Sequence, residues 1–238
     1  MAPVAAAEGS SMAADRPAIA IIGGTGPLGS GLARRLYAAG YVVVIGSRTA
    51  AKAEAAVAAL AAEQPDSAPA GGRLTGSDNA AAARQAEVVF ITVPWASQAA
   101  ILEEIKAHLA GKLVVDTTVP LVPPKVARVQ LPSEHSAALA AKQRLGSEVR
   151  LVSAFHNVAA HKLATADKID CDVLVFGDDA KDREIVVTLA RAMGLDAVHA
   201  GPLANSVAAE ALTSVLIGIN RSYKVDGAGV RITGIRRT

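Results

Sequence analysis

Short, uninterrupted apolar runs alternate along this chain with longer stretches in which apolar residues recur every three or four positions. The short runs are 18–22 (AIAII), 41–45 (YVVVI), 87–92 (EVVFIT), 112–116 (KLVVD), 150–154 (RLVSA), 173–176 (VLVF) and 195–199 (LDAVH), with a weaker one near Leu74. Runs of this length without polar alternation predict strands covered on both faces, as in parallel sheets.

Between them lie helical patterns. Leu28, Leu32 and Leu36 share one face, and 50–63 is an alanine-rich helix. Asp78 is placed to cap a short helix ending at Gln85, and Ile101, Leu102, Ile105 and Leu109 form a stripe. Further helices are predicted over 133–144, 181–193 with Gly194 as its stop, and 205–222. The last has apolar residues at Val207, Leu212, Val215, Leu216 and Ile219, more than one face needs, which points to a second subunit as well as its own domain.

Strand and helix in strict alternation, joined by right-handed crossovers, build a Rossmann α/β fold: a doubly wound parallel sheet with a small C-terminal α/β extension and a long C-terminal helix. The expected division is an extension over 1–16 without fixed structure, a nucleotide-binding domain over 17–155, and a region over 156–238 that completes the second substrate site and a dimer interface. The stretch 117–132, with four prolines, reads as an irregular connection across the carboxyl ends of the strands.

Composition narrows the class. A net charge of +2 gives no case for nucleic acid, and the single cysteine, Cys171, excludes an internal disulfide and fits a reducing compartment. No apolar run approaches the ~20 residues of a membrane span, and the first sixteen residues lack a basic start and an apolar centre. A cytoplasmic protein is expected. His135, His161 and His199 are scattered, so no metal site is expected.

The chemistry concentrates where the first strand ends. Gly24-Thr25-Gly26-Pro27-Leu28-Gly29 lies between an apolar strand and a helix. In that setting Gly24 allows a tight turn, Gly26 lets a pyrophosphate approach the backbone, and Gly29 lets helix and strand pack closely. The positive end of the helix then faces the phosphates. At the end of the second strand, where an NAD-selective site has an acid, stand Ser47 and Arg48, with Lys52 one turn on. A guanidinium there pairs with a 2′-phosphate, whereas the plainer reading of Arg48 is a solvated surface cation.

With these residues in view, the chain resembles the NADPH-dependent reductases of the deazaflavin coenzyme F420, the F420:NADP oxidoreductase family. The resemblance runs from about Ile19 to the C-terminus and rests on IIGGTGPLGSGLARRLYAAG, IGSRTAAKAEA, TVPW, VSAFHNVAA, FGDD and AGPLANS in that order. It implies hydride transfer between NADP(H) and F420, with Thr25, Gly26, Pro27 and Leu28 around the pyrophosphate and Ser47, Arg48 and Lys52 around the 2′-phosphate. Val93, Val119 and Ala160 are implied on the nicotinamide side, and His156 beside the deazaflavin. Departures from the family are the longer N-terminus, a proline-rich insertion before Gly71, Asp116-Thr117-Thr118 at a strand end, and the basic tail after Tyr223.

Hydride transfer between stacked rings asks the protein mainly for alignment and exclusion of water, so the lack of a catalytic triad fits. Three roles stay open. His156 either bonds the acceptor ring or only orders its loop, Trp95 is a pocket wall or core, and Arg231, Arg236 and Arg237 meet an acidic ligand tail or lie in water. Rival functions are an NADPH-dependent flavin or ferric reductase and a non-catalytic NADP sensor.

Overall fold

The computed structural model describes residues 16–63 and 71–235. The expected N-terminal extension, apart from Arg16, and Pro65, Pro69, Arg236 and Arg237 lie outside the described residues.

One sheet of eight strands runs through the molecule: β1 (Ile19–Ile22), β2 (Val42–Ser47), β3 (Arg73–Asp78), β4 (Val88–Ile91), β5 (Leu113–Asp116), β6 (Arg150–Ser153), β7 (Asp172–Gly177) and β8 (Asp196–Gly201). Their order is β3-β2-β1-β4-β5-β6-β7-β8, so the chain winds outward from β1 to one side and then from β4 to the other. The switch between β1 and β4 is where an α/β sheet opens a crevice at its carboxyl edge. The first six strands are parallel, as the apolar runs predict. β7 departs from this: it pairs with β6 antiparallel, Val152 opposite Gly177, and β8 is parallel to β7.

The helices are α1 (Pro27–Ala38), α2 (Ala50–Ala62), α3 (Asn79–Gln85), α4 (Trp95–Ile105), α5 (Ala137–Leu145), α6 (Ala180–Ala192) and α7 (Ser206–Tyr223). Asp78 caps α3 as expected, accepting from the backbone N–H of Ala81 at 2.8 Å. α5 starts four residues later than its pattern predicts. His135 takes a left-handed conformation (φ 72°) and Ser136 is the cap, accepting from the N–H of Leu139 at 3.0 Å.

Two apolar cores sandwich the sheet. One joins Ile19, Ile21, Leu32, Leu36, Phe90 and Val187; the other joins Ile22, Ile91, Leu102, Ile105 and Leu145. The alternation of Ile21 and Ile22 between them is the two-residue period of a strand covered on both sides. Trp95 is half-buried and lines a crevice with Gln98 and Leu131.

The segment Leu203–Tyr223, containing α7, is long and apolar enough to cross a membrane. Length and composition alone are a weak sign, and Glu210 in the middle of α7 is hydrogen-bonded to the start of α5.

Candidate active site

The turn after β1 is tied down by its neighbour strand. The N–H groups of Gly23 and Gly24 both donate to the carbonyl of Gly46 at 3.1 Å, and Gly26 N–H donates to Gly23 at 3.0 Å. The left-handed conformation falls on Gly23 (φ 79°) rather than on Gly24. A Cβ at Gly23 would also lie 2.7 Å from the Val93 side chain, so Val93 sits directly against the turn. Gly24 is needed for room, since its Cβ would come within 2.8 Å of the Ile21 carbonyl.

Among the glycines of this turn, Gly29 meets the closest approach. A Cβ there would stand 2.6 Å from Thr92 Oγ1 and 2.7 Å from the Gly24 Cα. Gly26 differs, because its Cβ would meet only the Gly23 carbonyl, at 3.4 Å, and otherwise point into open space. Gly26 is also the N-cap of α1, Pro27 opens the helix, and no side chain caps it. The first N–H groups of α1 are thus left for a ligand, and an anion is the partner they favour. Thr25 and Pro27 are exposed, while Leu28 is half-buried against the core. This cradle fits a pyrophosphate on the protein's own geometry.

The sheet order lays the other residues along the same edge. Ser47 is buried at the end of β2, Arg48 is exposed just beyond it, and Lys52 is exposed on the first turn of α2. Asp78 is level with Ser47 on the next strand, but its carboxylate is taken by the α3 cap. Val93 follows β4, Val119 follows β5 and His156 follows β6. Ala160 opens a short 3-10 turn, Ala160–Ala164, that packs on α1.

His156 faces inward and is 5% exposed. One ring nitrogen, Nε2, shares a 2.8 Å hydrogen bond with Ser153 Oγ, and Nδ1 has no partner among the described residues. Burial pushes its pKa down to about 3, so the imidazole is neutral through the physiological range. Its backbone carbonyl accepts from Thr213 Oγ1 of α7 at 2.9 Å.

Beneath this edge lies a polar cluster that residue spacing does not disclose. Asp116 Oδ2 accepts from Gln98 Nε2 at 2.6 Å, and Oδ1 accepts from the Thr118 N–H at 3.0 Å. Glu210 accepts from the N–H groups of Ala137 and Ala138 at 2.6 and 3.2 Å and from Ser206 Oγ at 3.1 Å. Burial raises Asp116 to about 6 against the pull of its hydrogen bonds. Burial, with the charge of Asp116 added, raises Glu210 to about 7. The sequence signals were an acid at the end of an apolar strand and an acid inside an apolar helix stripe.

Arg231 is held by acids of its own chain. Its guanidinium is spent on three acids, with Nε at 2.8 Å from Asp170 and Nη1 at 3.3 Å from Asp172 and 2.6 Å from Asp196. Cys171 is buried beside this network, and burial, with the charges of Asp172 and Asp170, raises its thiol pKa. Among the described residues no cluster of His, Cys, Asp and Glu could hold a metal ion.

Residues 18–120 match the family model described as NADP oxidoreductase coenzyme F420-dependent. The chain is 38% identical over 222 residues to the F420-dependent NADP reductase of Methanocaldococcus jannaschii, covering 91% of this chain and 98% of that one. It belongs to the F420-dependent NADP reductase family. A second member, from Methanothermobacter marburgensis, is 36% identical over 225 residues, with coverage of 91% and 98%. Among solved structures, a candidate F420-dependent NADP reductase from an Arthrobacter species superposes with a TM-score of 0.75 at 25% identity, covering 91% of this chain and 99% of that one.

Proposed function

We propose that this chain transfers a hydride between NADP(H) and coenzyme F420, reversibly: NADPH, oxidised F420 and a proton give NADP+ and reduced F420. The observation that carries the reading is the glycine cradle at the uncapped start of α1, in a chain that matches F420-dependent NADP reductases over almost their whole length.

The bound nicotinamide and deazaflavin supply the hydride donor and acceptor. The protein's part is to hold the two rings in contact and keep water out. Gly24, Thr25, Gly26, Pro27, Leu28 and Gly29 are assigned to the pyrophosphate, and Ser47, Arg48 and Lys52 to the 2′-phosphate. One charge-assisted hydrogen bond of roughly 1.5–3 kcal/mol favours NADP(H) over NAD(H) by about tenfold to a hundredfold. Val93, Val119 and Ala160 are assigned to the nicotinamide side. His156 is assigned to the acceptor side, as a neutral hydrogen-bonding group whose open Nδ1 is its remaining valence.

In this reading residues 17–155 hold the nucleotide, and residues 156–238 complete the acceptor site. We assign a homodimer interface to α7, supported by Val215 at 47% exposed and by the neighbouring apolar residues Val129 and Leu131, also exposed. Ser214 Oγ ties α7 to that segment through the Arg128 carbonyl. The cytoplasm is the proposed location. Light scattering tests the dimer, and a monomer at micromolar concentration would end that assignment. Mixing the protein with NADPH and F420, and separately with NADPH and FMN, tests the activity by absorbance.

A further inference from the structure

Arg35 lies in the last turn of α1, 8% exposed, and its guanidinium makes five hydrogen bonds, all to backbone carbonyls. Four go to one segment: Lys162 at 3.2 Å, Leu163 at 3.3 Å, Thr165 at 2.6 Å and Asp167 at 2.8 Å. The fifth reaches Met193 at the end of α6, at 2.9 Å. Burial lowers the Arg35 pKa and the charge of Asp167 opposes that shift, as expected of a cation drawn into the fold to serve carbonyls.

The segment it holds has little structure of its own beyond the turn Ala160–Ala164. Its shape is imposed from outside. On one side Gly31 lets α1 come so near that a Cβ there would be 2.5 Å from Leu163 Cβ and 3.5 Å from the Ala160 carbonyl. On the other, Lys162 Nζ donates to the Gly227 carbonyl of the C-terminal tail at 3.3 Å, and a Cβ at Gly227 would be 2.8 Å from Ala159 Cβ. Arg35 is the polar part of this clamp. It stands about 12 Å along the helix from Pro27, at 1.5 Å per residue. One rigid helix therefore carries the phosphate cradle at its start and the grip on the Ala160 segment near its end.

We propose that Arg35 is a positioning residue for hydride transfer. By fixing the carbonyls of residues 162–167 against α1, it sets where Ala160 stands relative to the nucleotide cradle, and hence how the two rings meet. The proposal rests on the reading that the chain transfers a hydride between NADP(H) and F420. Only a planar fork of five donors spans these acceptors, and a lysine offers a point charge in their place.

The test compares full-length wild type, Arg35→Lys and Gly31→Ala. Wild-type turnover with NADPH and F420 is measured first, and its absence would defeat the underlying reading rather than this one. Given turnover, Arg35→Lys is expected to keep the Kd for NADPH within about twofold while kcat falls about tenfold or more, since a displacement of about 1 Å can cost roughly a hundredfold. Amide exchange over 160–167 should quicken while the start of α1 stays protected. A merely structural residue would lower Tm and leave kcat and KM per folded molecule unchanged, and that result overturns the proposal. So does a loss of NADPH affinity in step with kcat. Gly31→Ala keeps the guanidinium but pushes Leu163 away, so it gives the same reading if Arg35→Lys does not fold: kcat down with NADPH affinity intact supports the proposal, and an unchanged kcat refutes it.

Discussion

The carboxylate of Glu210, in the long C-terminal helix, accepts a 2.6 Å hydrogen bond from the backbone N–H of Ala137 at the start of α5. It is 1% exposed, as is Asp116, whose charge acts on it. In the folded protein both acids bind their protons more tightly than in the unfolded chain, with pKa values of about 7 and about 6 in place of 4.5 and 3.8. Their contribution to stability is therefore fully present below about pH 4 and is lost as pH rises towards 7. At about 1.4 kcal/mol per pKa unit the loss is on the order of a few kcal/mol. Asp116→Asn, which keeps the acceptor for the Thr118 N–H, should flatten this decline and raise Tm at pH 8 relative to wild type, with little difference at pH 4. Parallel Tm curves for the two proteins would remove these acids from the explanation.

Gly26 and Gly29 should fail differently. Gly29→Ala drives a methyl into Thr92 and the Gly24 backbone, so it should cost stability by about 1–3 kcal/mol as well as nucleotide affinity. Gly26→Ala meets only the Gly23 carbonyl at 3.4 Å, so Tm should hardly move while NADPH binding weakens, because the methyl occupies the space assigned to the pyrophosphate. Thermal melts with and without NADPH separate the two.

Cofactor choice rests on Ser47, Arg48 and Lys52. Arg48→Ala should weaken NADPH binding about tenfold or more and barely change NADH binding, as expected for one lost charge-assisted contact. Fluorescence titration with both nucleotides measures this. Equal losses would mean that Arg48 does not meet the 2′-phosphate.

His156 remains neutral above about pH 3, so turnover should show no step from this group between pH 5 and 8. His156→Ala should lower turnover or raise the KM for F420 while the Kd for NADPH hardly changes. A large loss of NADPH affinity would place His156 on the nucleotide's side of the cleft.

The strands were legible because each is buried on both faces and reads as an unbroken apolar run; Ile19–Ile22 and Val88–Ile91 are the clearest. The glycine turn was legible because Gly24 and Gly29 each meet a local demand for room. What spacing does not carry is the direction in which a strand enters the sheet, so the antiparallel β7 was missed. The start of α5 was misplaced because His135 takes a left-handed conformation that no pattern marks. The partners of Arg35, Glu210 and Arg231 were hidden for a common reason. A charged residue reads as surface from sequence, and only the fold brings five carbonyls to Arg35, two N–H groups to Glu210 and three carboxylates to Arg231.

The central claim is the pairing of NADP(H) with a deazaflavin, and absorbance under anaerobic conditions tests it most directly. With catalytic protein, NADPH and oxidised F420 should lose absorbance together, one for one, and FMN or ferric ion in place of F420 should give little or no oxidation of NADPH. NADPH that binds without being oxidised by F420, or that is oxidised by FMN or ferric ion and not by F420, would contradict it.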